Sequence, residues 1–395
     1  MQPRMFAGFV FAALTALAPA HAYESVSADA TNEVNAAIDA VRGGDADRAL
    51  TLLDKAIASG MLSKDRAATA YYDRGSVRLS RREYDKAIAD FDAAISLKKD
   101  YGDAYDMRGN AHLLTGDYAG AAADFGAFVR ADPRNADAHA NLANAYHAQG
   151  RNDLALAEYD VAIQLQPSPY AYEGRSLAFL AGGKTDLAIA DLSEAIRLKP
   201  DYLAAYVDRG NAYVLAGELD QAIADMDVVV GQKPGDAGAR ATRAGIYAKL
   251  GKTAQAVADY GMAIQLSPND PSLYRARGDA YLSSRAYDPA IADYDAVLVR
   301  APNDAGALLD RGAAYHAKGQ YDRAIADYSA ALKLTPNDPR LYNDRGNAYA
   351  AERRLDLAIA DYDAALRIQP GYPDAMRNRE GAMKAKTTGQ AIKGR

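Results

Sequence analysis

A self-similarity of 34 residues runs through most of this chain and constrains the fold more than any other feature. The segment DRGNAY occupies residues 208–213 and again 344–349. AIADYDA occupies 290–296 and 358–364, with close variants beginning at Ala87 and Ala324. When the Arg-Gly pair is set at positions 7 and 8, units begin at Ala68, Gly102, Ala136, Pro169, Leu203, Ala237, Pro271, Ala305 and Pro339. Every step is 34 residues except one of 33 before Pro169. A poorer unit starts near Ala30, and Pro373 opens a final half-unit. A fixed period of this size marks a stack of supersecondary units rather than a single globular core.

The pattern inside one unit predicts two helices. Positions 4, 8 and 11 carry Tyr or a substitute, a small residue, and usually an aromatic. Positions 20, 24 and 27 carry Ala, usually an aromatic, and usually Ala or Val, with Pro at 32. In the unit from Pro271 these are Tyr274, Gly278, Tyr281, Ala290, Tyr294, Val297 and Pro302. Spacings of three, four and seven put each set on one helix face. Small residues at 8 and 20 let two helices approach closely. The punctuation agrees. Asp recurs at position 18 (Asp85, Asp153, Asp186, Asp220, Asp288, Asp322, Asp356) and is expected to cap the second helix, Asp288-Pro289 being a cap followed by proline. Asp270-Pro271 and Asp338-Pro339 are expected to do the same for first helices. Gly at position 15 (Gly116, Gly150, Gly217, Gly251, Gly319) suits a left-handed helix end. One hairpin cannot bury its own apolar faces, whereas stacked neighbours can.

Over residues 30–372 this pattern resembles the tetratricopeptide repeat family, with Tyr for the usual Trp at position 4 and Arg for the usual Leu at position 7. The resemblance implies an all-α fold, a right-handed α-solenoid superhelix of about ten helical hairpins with a C-terminal capping helix. The expected organisation is a signal peptide at 1–22, then a leader and degenerate first repeat at 23–67. Nine tandem repeats follow at 68–101, 102–135, 136–168, 169–202, 203–236, 237–270, 271–304, 305–338 and 339–372. A capping helix at 373–386, closed by Glu380 in place of the small residue at position 8, and a disordered basic tail at 387–395 complete it.

The N-terminus reads as a cleavable secretory signal. Arg4 supplies the positive charge, residues 5–17 an apolar run, and Ala20-His21-Ala22 a small-x-small site, so cleavage is expected after Ala22. The run is shorter than the ~20 residues of a spanning helix, and no later stretch is apolar enough for one. No cysteine follows it for lipid attachment, and zero cysteines in the chain exclude disulfides, cysteine-bound zinc and a thiol nucleophile. The expected location is the bacterial periplasm or the outside of the cell. With 46 basic and 52 acidic residues the net charge is -6, which argues against a nucleic-acid partner.

The most conspicuous charges are Arg74, Arg108, Arg175, Arg209, Arg243, Arg277, Arg311 and Arg345 at position 7, with Arg379 in the last half-unit. They read either as a ladder for phosphates and acidic peptides or as half of an internal ion-pair set. Position 23 decides for the second. It carries Asp90, Asp124, Asp191, Asp225, Asp259, Asp293, Asp327 and Asp361, and Glu158 in the one full repeat where position 7 is Leu142. Antiparallel helices bring positions 7 and 23 within reach, and an unpaired guanidinium row would be costly.

The family resemblance assigns positions 2, 5, 9, 12 and 13 to the concave surface. Position 9 gives Asn110, Asn144, Asn211 and Asn347, and also Asp279. An asparagine ladder offers donors and acceptors to an extended peptide backbone; the bland alternative is a tolerated polar surface residue. Asp106, Glu173 and His147 on the N-terminal side, and Arg275 and His316 on the C-terminal side, join them as candidate partner-binding residues. Chaperone-binding members of the family carry Lys at 5 and Asn at 9. Here Asp106, Ala140, Val207 and Asn343 precede the asparagines, so an acidic C-terminal tail is disfavoured. His112 and His139 replace packed aromatics, and no histidine stands at metal-ligand spacing, so neither metal nor cofactor is expected. No phosphate loop, nucleophile elbow or catalytic carboxylate pair is present. The expected function is a non-catalytic scaffold binding a protein or peptide on the concave face. The alternative is an accessory subunit of an envelope or polysaccharide assembly complex whose chemistry lies on another chain.

Overall fold

The computed structural model describes residues 28–393, so the signal peptide and most of the leader lie outside the described residues. Every regular element among them is an α-helix. The degenerate hairpin is α1 (Ala28–Arg42) and α2 (Ala46–Ala58). Then come α3 (Lys64–Ser80) and α4 (Tyr84–Leu97), α5 (Gly102–Thr115) and α6 (Tyr118–Ala131), α7 (Ala136–Ala148) and α8 (Asn152–Leu165), and α9 (Pro169–Ala181) and α10 (Thr185–Leu198). They are followed by α11 (Leu203–Ala216) and α12 (Leu219–Gln232), α13 (Ala237–Lys249) and α14 (Thr253–Leu266), and α15 (Pro271–Ser283) and α16 (Tyr287–Arg300). Last are α17 (Ala305–Ala317) and α18 (Tyr321–Leu334), α19 (Pro339–Ala351) and α20 (Leu355–Ile368), and the single α21 (Pro373–Lys393). The fold is an all-α solenoid.

Two compact units divide inside α11, one running to Ala205 and the other from Tyr206. In each, a first helix packs on its second, which packs on the next first helix. Successive first helices also touch, as α7 does α9 and α17 does α19. They therefore form a layer of their own in each unit.

The hairpins close on one contact. The position-24 ring is fully buried in most repeats (Phe91, Phe125, Tyr159, Tyr294, Tyr362) and lies against position 8 of the partner helix. A Cβ on Gly346 would stand 2.7 Å from Tyr362 Cε1, and one on Gly278 2.8 Å from Tyr294 Cε1. Position 20 contributes a fully buried alanine at the crossing, from Ala87 through Ala358. Interiors this tight transmit any added methyl into strain.

The caps differ in part from expectation. Asp270 and Asp338 do cap first helices, accepting from the amides of Ser272 and Arg340 with proline at the helix start. The second helices begin two residues earlier than the sequence suggested. Position 16 is the cap residue, and Glu83, Lys252, Ala286 and Arg354 make no side-chain cap bond there. Asp85, Asp288 and Asp356 thus lie inside the first turn, where their charge faces the positive end of the helix dipole. The turn at position 15 needs positive φ in every repeat. Glycine provides it at Gly116 and Gly319, and Arg82, Arg285 and Arg353 adopt it at 59–62°.

The last helix is also a correction. It does not end near residue 386 but runs to Lys393. No proline interrupts that stretch, and Thr387 and Thr388 turn their hydroxyls back onto the carbonyls of Met383 and Lys384.

Two glycine substitutions separate packing from propensity. Gly346→Ala should cost about 1–3 kcal/mol, because its methyl enters the Tyr362 ring. In mid-α14, Gly261 would meet only Arg277 Nη1 at 3.7 Å, and Gly261→Ala should stabilise by about 0.5–1 kcal/mol. Paired thermal and urea melts check both signs.

Candidate functional site

Charged side chains at the helix seams come first, because they limit what is left to bind anything. Each position-7 arginine meets the aspartate sixteen residues on. Arg243 donates through Nε and Nη2 to the two oxygens of Asp259, both at 2.7 Å. The same fork joins Arg108 to Asp124, Arg175 to Asp191, Arg209 to Asp225, Arg277 to Asp293, Arg311 to Asp327 and Arg345 to Asp361. Arg74 shares Asp90 with Arg78. These aspartates are nearly fully buried, so each depends on its fork.

The third arginine nitrogen reaches back to position 25 of the preceding repeat. Arg175 Nη1 donates to Asp160 at 2.6 Å, Arg243 to Asp227 at 2.8 Å, Arg345 to Ser329 at 3.0 Å, and Arg108 to Asp92. Arg379 of α21 donates to Asp363 at 2.5 Å and Arg74 to Asp54 at 2.6 Å. One guanidinium thus ties three helices. Tyrosines at positions 4 and 11 flank it: Arg345 Cζ lies 5.7 Å from the Tyr342 ring and 5.9 Å from Tyr349. Hydrogen bonds donated to Asp259 and Asp327 hold the Arg243 and Arg311 guanidiniums above their already high ordinary values.

The repeat with Leu142 solves the same problem differently. Its Glu158 takes His139 Nδ1 at 2.6 Å, and His139 Nε2 sits 3.1 Å from the Pro133 carbonyl. Position 25 before it is Gly126. His139 is therefore a replacement hydrogen-bonding partner for the position-23 acid as well as a packed ring, which its replacement of an aromatic did not suggest.

The candidate partner-binding residues fall into two sets. Asn144 accepts the Tyr159 hydroxyl at 2.5 Å, Asn347 that of Tyr362 at 2.8 Å, and Asp279 that of Tyr294 at 2.8 Å. These three tether the buried position-24 ring, and their acceptor oxygens are used inward. Glu173 is buried and receives the Tyr202 hydroxyl, so it is not an open groove residue; burial at the α9 seam overrides its polar type. His147 Nδ1 lies 2.8 Å from Asn152 Oδ1. The His316 ring packs edge-on against Tyr321 with Nε2 buried and without a hydrogen-bond partner.

The second set forms polar rows across repeats. Asp106 accepts from Asn141 of the next first helix at 2.8 Å and from Asn110 on its own helix at 3.3 Å. Arg275 donates to Asp310, with Nη2 at 2.7 Å. Asn378 of α21 donates to both Asn343 and Asn347, at 2.9 and 3.0 Å. Asp106–Asn141, Arg275–Asp310 and Asn343–Asn378 each join position 5 of one repeat to position 6 of the next. Asn211 is exposed.

Position 6 also holds a residue that the sequence reading passed over. Asp73 on α3 has an oxygen, Oδ2, that is shielded from water and has no hydrogen-bond partner. Burial pushes its carboxyl up to about 7. Burial likewise raises Asp106 to about 6 against the pull of Asn141 and with the help of Asp103 and Asp137. The recurrence of Asp at position 6 (Asp73, Asp208, Asp310, Asp344) was the available signal.

Two measurements follow. Arg243→Leu and Asp259→Leu should each destabilise by about 2–4 kcal/mol, and the double variant by about 1–3 kcal/mol less than their sum, read from a double-mutant cycle of urea melts. The folded chain holds a proton on Asp73 that the unfolded chain releases near pH 4. Its favourable contribution is therefore full below that pH and lost as pH rises through about 7. Asp73→Asn should raise the melting temperature relative to the wild type at pH 8 and gain little at pH 4, checked by melts across that range.

Sequence models described as tetratricopeptide repeat match residues 34–103, 107–171, 174–237 and 339–372, and one described as TPR repeat matches 245–284 and 314–352. No curated protein sequence matches. Among solved structures, the Cut9-Hcn1 hetero-tetramer of the APC/C is 17% identical, with a TM-score of 0.43, covering 89% of this chain and 84% of that one. YrrB, described as a TPR protein with an unusual peptide-binding site, is 19% identical with a TM-score of 0.41, over 48% of this chain and 97% of its own. MamA from Desulfovibrio magneticus RS-1 is 19% identical with a TM-score of 0.42, over 45% and 99%. With the repeat models covering most of its length, the chain belongs to the tetratricopeptide repeat family of protein-interaction scaffolds.

Proposed function

We propose that this chain is a non-catalytic scaffold that holds an extended peptide or protein segment along the first-helix face. The observation that carries this reading is the polar row Asn110–Asp106–Asn141, whose donors and acceptors are held in place from two repeats. A preorganised row on rigid helices binds without a further ordering cost. The arginines contribute no ligand surface on this reading, because their donors are directed to carboxylates at the helix seams.

The export reading stands beside it, on Arg4, the apolar run at 5–17 and Ala20-His21-Ala22. It makes the partner a periplasmic or extracellular protein. No described helix is long and apolar enough to cross a membrane.

Photo-crosslinking side chains at Asn110 and Asn211, with controls at Asp153 and Asp220 on second helices, test the face. Adducts to the same partner from both first-helix positions and from neither control are the expected result. Crosslinks that arise only from the second helices would sink the proposal. N-terminal sequencing of the exported protein should begin at Tyr23.

A further inference from the structure

We propose that the site formed by Asp73 and Tyr72 of α3, Tyr101 of the α4–α5 linker, and Asp103 and Asp106 of α5 takes a cationic side chain, arginine or lysine, from the bound segment. This rests on the first-helix face being the holding surface, and it names the charge of what is held at one point along it.

Three carboxyl groups surround two aromatic rings at this site. Asp73, Asp103 and Asp106 lie close enough to Tyr72 to add to burial in raising its hydroxyl, and Asp73 and Asp103 do the same to Tyr101. Asp103 and Asp137 in turn press on Asp106. The Tyr72 and Tyr101 rings stand 5.2 Å apart at 36°, forming one aromatic wall. Lys98 Nζ is 4.8 Å from the Tyr101 centroid, so that ring already receives a cation on one side. Even so, Asp73 Oδ2 remains without a hydrogen-bond donor.

Tyr170 and Tyr202 form a second such pair, also 5.2 Å apart, with Lys199 Nζ 5.2 Å from both rings. There the acid is Glu173, and the Tyr202 hydroxyl donates to it. At the first site no hydroxyl donates to Asp73 Oδ2, and the acid is left with an unused acceptor. Asp73 is half-buried as a residue, and Oδ2 is its shielded, unpartnered oxygen. A guanidinium fork spans both oxygens of a carboxylate while its face lies on an aromatic ring. A metal ion fits less well: among the described residues no three His, Asp or Glu side chains converge as ligands.

The test titrates the full exported chain with a blocked nine-residue Gly/Ser peptide carrying one central arginine. The matched probe carries citrulline, which keeps the shape and removes the charge. The arginine peptide should bind about tenfold more tightly to the wild type, and Asp73→Asn should reduce that ratio to about twofold or less. Asp106→Asn should reduce it by a smaller factor. Circular dichroism melts confirm that each variant is folded, and Asp73→Asn removes no partner on which the fold depends. Equal affinity for the two peptides, absence of binding by either, or a ratio untouched by Asp73→Asn would each overturn the inference. Crosslinking from Asn110 and Asn211 judges the face independently, so a site without charge preference is distinguishable from a face that holds nothing.

Discussion

The guanidinium at position 7 touches three helices at once: its own, the second helix of its hairpin through position 23, and the previous second helix through position 25. Its aspartate is buried beside it, so neither charge can be removed without stranding the other. A solenoid has no single core, and each interface must stand on contacts with its neighbours alone. Where an arginine also bonds position 25 of the preceding repeat the interface gains a directional link, whereas packing of alanines and tyrosines is non-directional. At the chain end Arg379 makes the same link to Asp363, which seats α21 as a continuation of the stack.

That arrangement decides what the surface has to offer. Arginines that look in a linear sequence like a ladder for anions have their donors turned to internal carboxylates. The position-24 tyrosines, which look like stacking platforms, are buried rings, and three are tethered through their hydroxyls by position 9. The remaining chemistry lies between first helices at positions 5 and 6, where Asp106, Asn141, Arg275 and Asp310 link repeat to repeat. In the N-terminal unit the balance there is acidic, and Asp73 is the one member of that group with a buried oxygen and no donor.

The helices were legible because their period and small-residue positions repeat nine times, so a chance match at one unit is overruled by the others. The sixteen-residue Arg–Asp interval was visible for the same reason. Position 25 was not, because it alternates among Asp, Ser and Gly and carries meaning only against an arginine of the next repeat. Asp at position 18 was misplaced by two residues, since a first-turn aspartate and a capping one look alike in sequence and only the backbone separates them. Glu173 and Asn144 were read as open polar residues, yet each accepts a tyrosine hydroxyl. Polar type does not reveal the direction in which a half-buried side chain is satisfied.

The sequence alone determined the class of fold, the number of full repeats and the faces that must be buried, because these follow from local periodicity and the volume of each side chain. Tertiary structure decided which polar groups are consumed and which remain. Hydrogen-bond partners here are fifteen to thirty-five residues apart and often on neighbouring repeats. Whether an asparagine faces a ligand or a tyrosine depends on how one hairpin sits on the next, and no local pattern encodes that.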